Sequence, residues 1–271
     1  PYVPAKPFWG ALTAKLTRRL GLTDYEKIGE FLKKAMRFSY FYPSVGDKVY
    51  APFYTEEGLK FGDLTQIDFE KCFLSSLTSA AIEPDSLTAE DGMLHEIEFL
   101  SPYTMNGKPV FLKGLLWVSD FSEGKLFIEF KDEGFLIVCD GNRIEFSELV
   151  DTLQVGGERK YGFGLLKIKG RPKKENNDEL EDLGFFGKWQ GKTSEILLKI
   201  KKNQPIWSHV KCANDLRIKG SLEPVMGRDW DSAKGAGRKL SSYGLCWVPG
   251  SVLTEEVTFK VTQDFGLWEK Q

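Results

Sequence analysis

Histidine is nearly missing from this 271-residue chain, which has only His95 and His209. A histidine-rich metal centre or a Ser-His-Asp constellation has almost no material to draw on. Cysteine is sparse as well: Cys72, Cys139, Cys212 and Cys246 stand far apart and never form a CxxC pair. That spacing argues against both a zinc site and a secreted disulfide framework. No apolar run approaches the ~20 residues that a membrane-spanning helix needs, and the first residues lack the basic-then-apolar pattern of a signal peptide. The expectation is a cytoplasmic protein without a membrane segment, a metal or a cofactor. Positive charge is not in excess either, since 37 Lys and Arg face 39 Asp and Glu. The chain as a whole is therefore not the basic body of a free nucleic-acid binder. Its hydrophobic content of 41% is enough to bury a real core in one large or two small domains.

The most informative stretch is Val155-Gly156-Gly157-Glu158-Arg159-Lys160-Tyr161-Gly162-Phe163-Gly164, followed by the apolar run 165–168. Glycines at this density let the backbone take positive φ and approach a ligand closely, and free N–H groups beside two cations suit phosphate. The same residues would also make a tight turn carrying solvated charges. The dinucleotide fingerprint does not fit, because no hydrophobic strand leads in and a strand rather than a helix follows. Upstream, Phe146, Leu149, Val150 and Leu153 lie at helical spacing, with Ser147 placed to cap the first turn. Before them, 125–130 and 135–139 are apolar stretches joined by Lys131-Asp132-Glu133-Gly134, the pattern of a hairpin. Strand, strand, helix, glycine loop, strand is the second half of a ferredoxin-like fold.

With that order in place, the sequence resembles the RAMP superfamily, the repeat-associated RNA-binding subunits of CRISPR effector complexes. Their hallmark is a glycine-rich loop between the last helix and last strand of a ferredoxin-like domain, and residues 156–164 are close to it. Three further stretches support the resemblance. Tyr2-Val3-Pro4-Ala5-Lys6-Pro7-Phe8-Trp9-Gly10-Ala11-Leu12 is similar to the superfamily's proline-initiated first helix, with bulky Phe8 and Trp9 in place of the usual small polar pair. Residues 81–98, from Ala81-Ile82-Glu83 through Thr88-Ala89 and Gly92 to Ile97-Glu98, resemble a segment leading from an isoleucine-acid pair to a strand. Arg37-Phe38-Ser39-Tyr40-Phe41-Tyr42-Pro43, followed by Tyr50-Ala51-Pro52, is more like the Cas-five-type subgroup that caps the crRNA 5′ end than the repeating backbone subgroup.

The resemblance implies an α+β protein. Residues 1–170 would form the ferredoxin-like domain, interrupted by an insertion at 40–119 with Ser101-Pro102-Tyr103-Thr104-Met105-Asn106-Gly107 as a hairpin tip or thumb. The polar stretch 171–178 reads as an exposed linker, and strand-like runs at 196–200, 216–222, 244–248 and 257–261 suggest a β-rich lobe over 171–271. Helices are expected at 7–22, stopped by Gly21, and after Thr23 or Asp24 as cap, carrying Tyr25, Ile28, Phe31, Leu32 and Ala35. In the family a strand precedes the first helix, so an N-terminal piece is expected upstream of Pro1. In the backbone subgroup the target-cleaving aspartate follows that strand.

The implied function is non-catalytic: gripping the 5′ handle of crRNA and capping the backbone filament in a type III or type III-derived complex. Partners would be crRNA, neighbouring backbone subunits and, indirectly, target RNA. The residues expected at the RNA are Lys6, Lys15 and Arg19 of the first helix, with Gly156, Gly157, Arg159, Lys160, Tyr161, Gly162, Phe163 and Gly164 of the loop. A second glycine-cation cluster adds Arg228, Lys234, Arg238 and Lys239 around Trp230, either as backbone contacts with a stacking face or as a surface hairpin over a buried tryptophan. Phe8, Trp9, Tyr40 and Tyr42 read as packing rather than base platforms. Alternatives are a repeating backbone subunit that cuts target RNA, and a processing endoribonuclease using His95 or His209 as acid or base. Glu96 and Glu98 share a strand face and read as a solvated surface rather than a catalytic pair.

Overall fold

The computed structural model describes residues 2–89, 91–174, 178–191, 195–231 and 233–271. Two helices begin the chain. Helix α1, Ala5–Arg19, starts two residues before Pro7, because a proline in the first turn sacrifices no helical hydrogen bond. It ends where Gly21 takes φ +66° and its N–H bonds to the carbonyl of Arg18. Helix α2, Tyr25–Ala35, is capped by Asp24, whose carboxylate accepts from the N–H of Lys27. It buries Ile28, Phe31, Leu32 and Ala35 at helical spacing. The pair meets closely at Gly29, whose carbonyl accepts from the Trp9 indole N–H at 2.9 Å. A Cβ there would stand 2.7 Å from the Trp9 ring, so a larger residue would push the helices apart.

The rest is mostly strand, making the protein α+β. The expected hairpin forms between Leu126–Phe130 and Phe135–Cys139, the central strands of a four-stranded meander with Ser122–Glu123 and Asn142–Glu145. Among the described residues the largest sheet has seven strands, in spatial order Lys188–Gln190, Leu197–Ile200, Val257–Val261, Trp268–Lys270, Val210–Lys211, Gly235–Trp247 and Leu222–Asp231. One buried cluster takes Leu12, Leu16 and Phe31 from the helices, Ile137 and Leu149 from the middle, Phe259 and Trp268 from the large sheet and Trp207 from the bend before Val210–Lys211. Each such side chain contributes about 2–3 kcal/mol by leaving water. The expected linker therefore joins segments that share a core; within it, residues 175–177 lie outside the described residues.

Two local expectations change. The helix expected over 144–153 is only α4, Phe146–Leu149; Glu145 precedes it, and Ser147 does not cap it. Thr152–Gln154 is instead a strand, because it pairs with Leu165–Lys167 and places Leu153 opposite Leu166. The glycine stretch is thus the loop of a hairpin. The turn around Ser101-Gly107 is a small one, closed by Thr104 and Lys108. The extended arm is Leu74–Ser79 with His95–Leu100, which among the described residues pair only with each other, and it follows helix α3, Gln66–Phe73. In the segment leading to that arm, Glu90 lies outside the described residues.

Candidate nucleic-acid interface

The glycine loop is shaped from inside by Gln154. Its side-chain amide donates to the carbonyls of Arg159, at 2.9 Å, and Phe163, at 3.2 Å. A single 3-10 turn, Arg159–Tyr161, lies between Glu158 at φ +46° and Gly162 at φ +88°. Gly164, at φ +74°, closes the hairpin where Val155 N–H donates to its carbonyl. A Cβ on Gly164 would stand 1.9 Å from the Val155 carbonyl oxygen, which only glycine avoids. Phe163 packs on Phe99 of the arm with ring centroids 5.0 Å apart, so loop and arm are in contact. Tyr161, by contrast, points into solvent with 71% of its surface exposed.

Beside this loop, α1 and the strand Thr152–Gln154 bound an open groove of about 450 Å³. Ala11 and Ala14 leave room for it, and Lys15, Arg18, Arg19 and Arg159 bring four cations to its walls. Lys15 is committed to structure. It pairs with Asp151 and donates to the Thr152 carbonyl at 2.7 Å, holding the Asp151 carboxyl below its ordinary range. Arg18 uses Nε on the Ala14 carbonyl, which leaves its terminal nitrogens available, and Arg18, Arg19 and Arg159 are exposed. Such a concave cationic surface, fixed by one internal ion pair, suits a phosphate backbone.

Of the residues expected at this site, the structure brings together Lys15, Arg19 and Arg159. Lys160 is exposed on the same loop but does not line the groove. Arg18 was legible as Lys15's neighbour at i+3 on the same helical face. Gln154 carried no sequence signal, since its role depends on the loop folding over it. Lys6 lies elsewhere: its ammonium pairs with Asp229 at 2.5 Å and donates to Ser241 at 3.1 Å. It belongs to the long hairpin Leu222–Asp231 and Gly235–Trp247, not to the groove.

That hairpin holds the second glycine-cation cluster. Arg228, Lys234, Arg238 and Lys239 are all exposed on it, and Arg228 donates to the Gly237 carbonyl at 3.2 Å. The pairing is irregular between Asp229 and Asp231. Trp230, at that irregularity, stacks on Tyr25 at the start of α2 with centroids 5.2 Å apart. Trp230 is therefore neither buried nor a free stacking face. Among the other aromatics, Phe8 stacks on Phe41, and Tyr40 and Tyr42 are buried in the core, as packing residues would be.

The two histidines sit apart. His209 is 5% exposed, with Nδ1 2.7 Å from the Tyr40 hydroxyl and Nε2 2.6 Å from Glu223. Burial lowers its pKa despite the opposing pull of Glu223, and neither ring nitrogen is free to reach a substrate. His95 is exposed in the arm against Ser79 at 2.9 Å. No protein-family model matches the chain, and no curated protein matches it significantly.

Proposed function

We propose that this chain is a non-catalytic, cytoplasmic RNA-binding subunit of a CRISPR effector ribonucleoprotein, gripping the 5′ handle of crRNA and capping the backbone filament. The RNA-binding part is a ferredoxin-like domain within residues 1–170, and 171–271 is the β-rich lobe. The observation that carries the reading is the groove in which Arg18 and Arg19 of α1 face Arg159 of the glycine loop. The order of motifs that resembles the RAMP superfamily supplies the class of RNA. The exposed cations hold phosphates, and Tyr161 offers a ring on which an unstacked base can lie. Recognition of a constant handle follows from that combination, because splayed bases expose their edges.

Binding of the purified chain to labelled RNAs with altered handle or altered spacer tests this. Handle changes are expected to cost affinity and spacer changes are not. In an assembled particle, crosslinks from Tyr161 should fall on the first nucleotides of the guide. Crosslinks repeating through the spacer would replace the cap with a backbone subunit. Metal-independent cleavage of repeat RNA that disappears in His95→Ala would replace it with a processing nuclease.

A further inference from the structure

We propose that the outward face of the hairpin Leu222–Asp231/Gly235–Trp247 is a docking surface for an acidic amphipathic helix of a partner protein. On this hairpin, strand alternation sends Glu223, Gly227 and Asp229 inward, to His209 and Lys6. The opposite face presents Leu222, Met226, Leu240 and Leu245, exposed by 44%, 61%, 63% and 50%. Arg228 stands opposite Leu240 on that face, and Arg238 follows two residues before Leu240. Two large aliphatic side chains on each strand of the pair, with Pro224 between Leu222 and Met226, make this face largely apolar, and exposed apolar faces mark interaction sites.

Charge chooses the partner's chemistry. The hairpin's carboxylates are used elsewhere: Glu223 on His209, Asp229 on Lys6 and Asp231 on the N–H groups of Ala233 and Lys234. The outward face is therefore apolar at its root and positive toward its tip, complementary to a segment with apolar residues flanked by acids. Protein is favoured over RNA here because Trp230 is turned onto Tyr25 and Trp247, opposite Leu222, packs against the core, leaving aliphatic side chains that offer bases no stacking platform. A helix is favoured over an added strand because Leu222–Asp231 is the sheet's edge and protects itself: Pro224 lacks an N–H, and the pairing is irregular at Val225/Met226 and again at Asp229/Asp231. From Leu222 to Arg228 the strand spans roughly 20 Å at ~3.3 Å per residue. A helix of about thirteen residues matches that length.

The test places the photoreactive amino acid p-benzoylphenylalanine at position 242, where Ser242 is exposed opposite Met226. The full chain is expressed in its own cells, irradiated, and its adducts are identified by mass spectrometry. The expected adduct is a net-acidic segment of another protein with apolar residues at helical spacing. A synthetic peptide of that segment should bind the purified chain and lose at least tenfold in affinity to M226E/L240E and to R228E/R238E. Circular dichroism checks folding, and Leu240→Ser and Arg228→Gln replace either double variant that fails to fold. Adducts to RNA, adducts to a second copy of this chain, or no adduct would overturn the proposal, as would a peptide that binds both variants like the parent.

Discussion

The two glycine-and-cation clusters read alike along the chain but are built differently. In the 155–164 loop Gly156, Gly162 and Gly164 take positive φ, and the loop's outer side stays exposed beside a helix that adds its own arginines. In the 222–247 hairpin the residues are strands of a large sheet, and the inner face is anchored by Lys6, His209 and Tyr25. Composition is the same in kind. What differs is whether neighbouring elements bring further cations or take up the carboxylates. A glycine-cation run is therefore informative about a ligand only once its tertiary neighbours are known.

The comparison breaks most directly at the groove. Replacing Arg18, Arg19 and Arg159 together with Ala should lower affinity for handle RNA on the order of a hundredfold near physiological salt. The slope of log affinity against log salt should fall by about 2, as expected for three lost single-strand phosphate contacts. Fluorescence anisotropy across a salt series reads both. The pair R228A/R238A should leave RNA affinity within about twofold under the same conditions. Equal losses from the two sets would mean that both clusters hold RNA.

Backbone geometry provides the next effect. Gly164→Ala forces a Cβ into the Val155 carbonyl at positive φ, and should destabilise the protein by about 3 kcal/mol in urea denaturation, or open the loop at similar cost. Gly157→Ala, which has open space and no positive φ, should be close to neutral. Parity between the two would show that the loop is not held in this form.

A smaller difference separates the two lysines of α1. Lys6→Ala leaves a partly buried Asp229 without its cation, for a loss of about 2 kcal/mol. Lys15→Ala removes a pair whose carboxylate is more than half exposed and should cost clearly less than Lys6→Ala. Thermal melting at matched ionic strength ranks them.

The smallest expected effect is on pH dependence. Burial holds the His209 pKa below its ordinary value of 6.5, so between the lowered value and 6.5 the unfolded chain binds a proton that the folded chain refuses. Stability present above pH 6.5 is thus lost as the pH falls through that window. His209→Gln should flatten the decline in denaturation midpoint between pH 7 and 5.

Local physics was legible in the sequence. Helix α2 with its Asp24 cap, the stop at Gly21, the hairpin Leu126–Phe130/Phe135–Cys139 and the strand Val257–Val261 follow from caps, turn residues and periodicity within a few positions of one another. So did the glycine loop as an exposed feature. The helix expected after Ile144 was not, because four apolar residues at helical spacing also serve a short turn followed by a strand once Leu165–Lys167 offers a partner. The sequence alone thus determined where the chain turns, which segments coil and where cations are dense. Only the tertiary structure decided which cations meet: α1 packs on a strand about 135 residues later, so Arg18 and Arg19 join Arg159 while Lys6 goes to Asp229. Those pairings depend on how distant elements share a core, and no spacing along the chain records that.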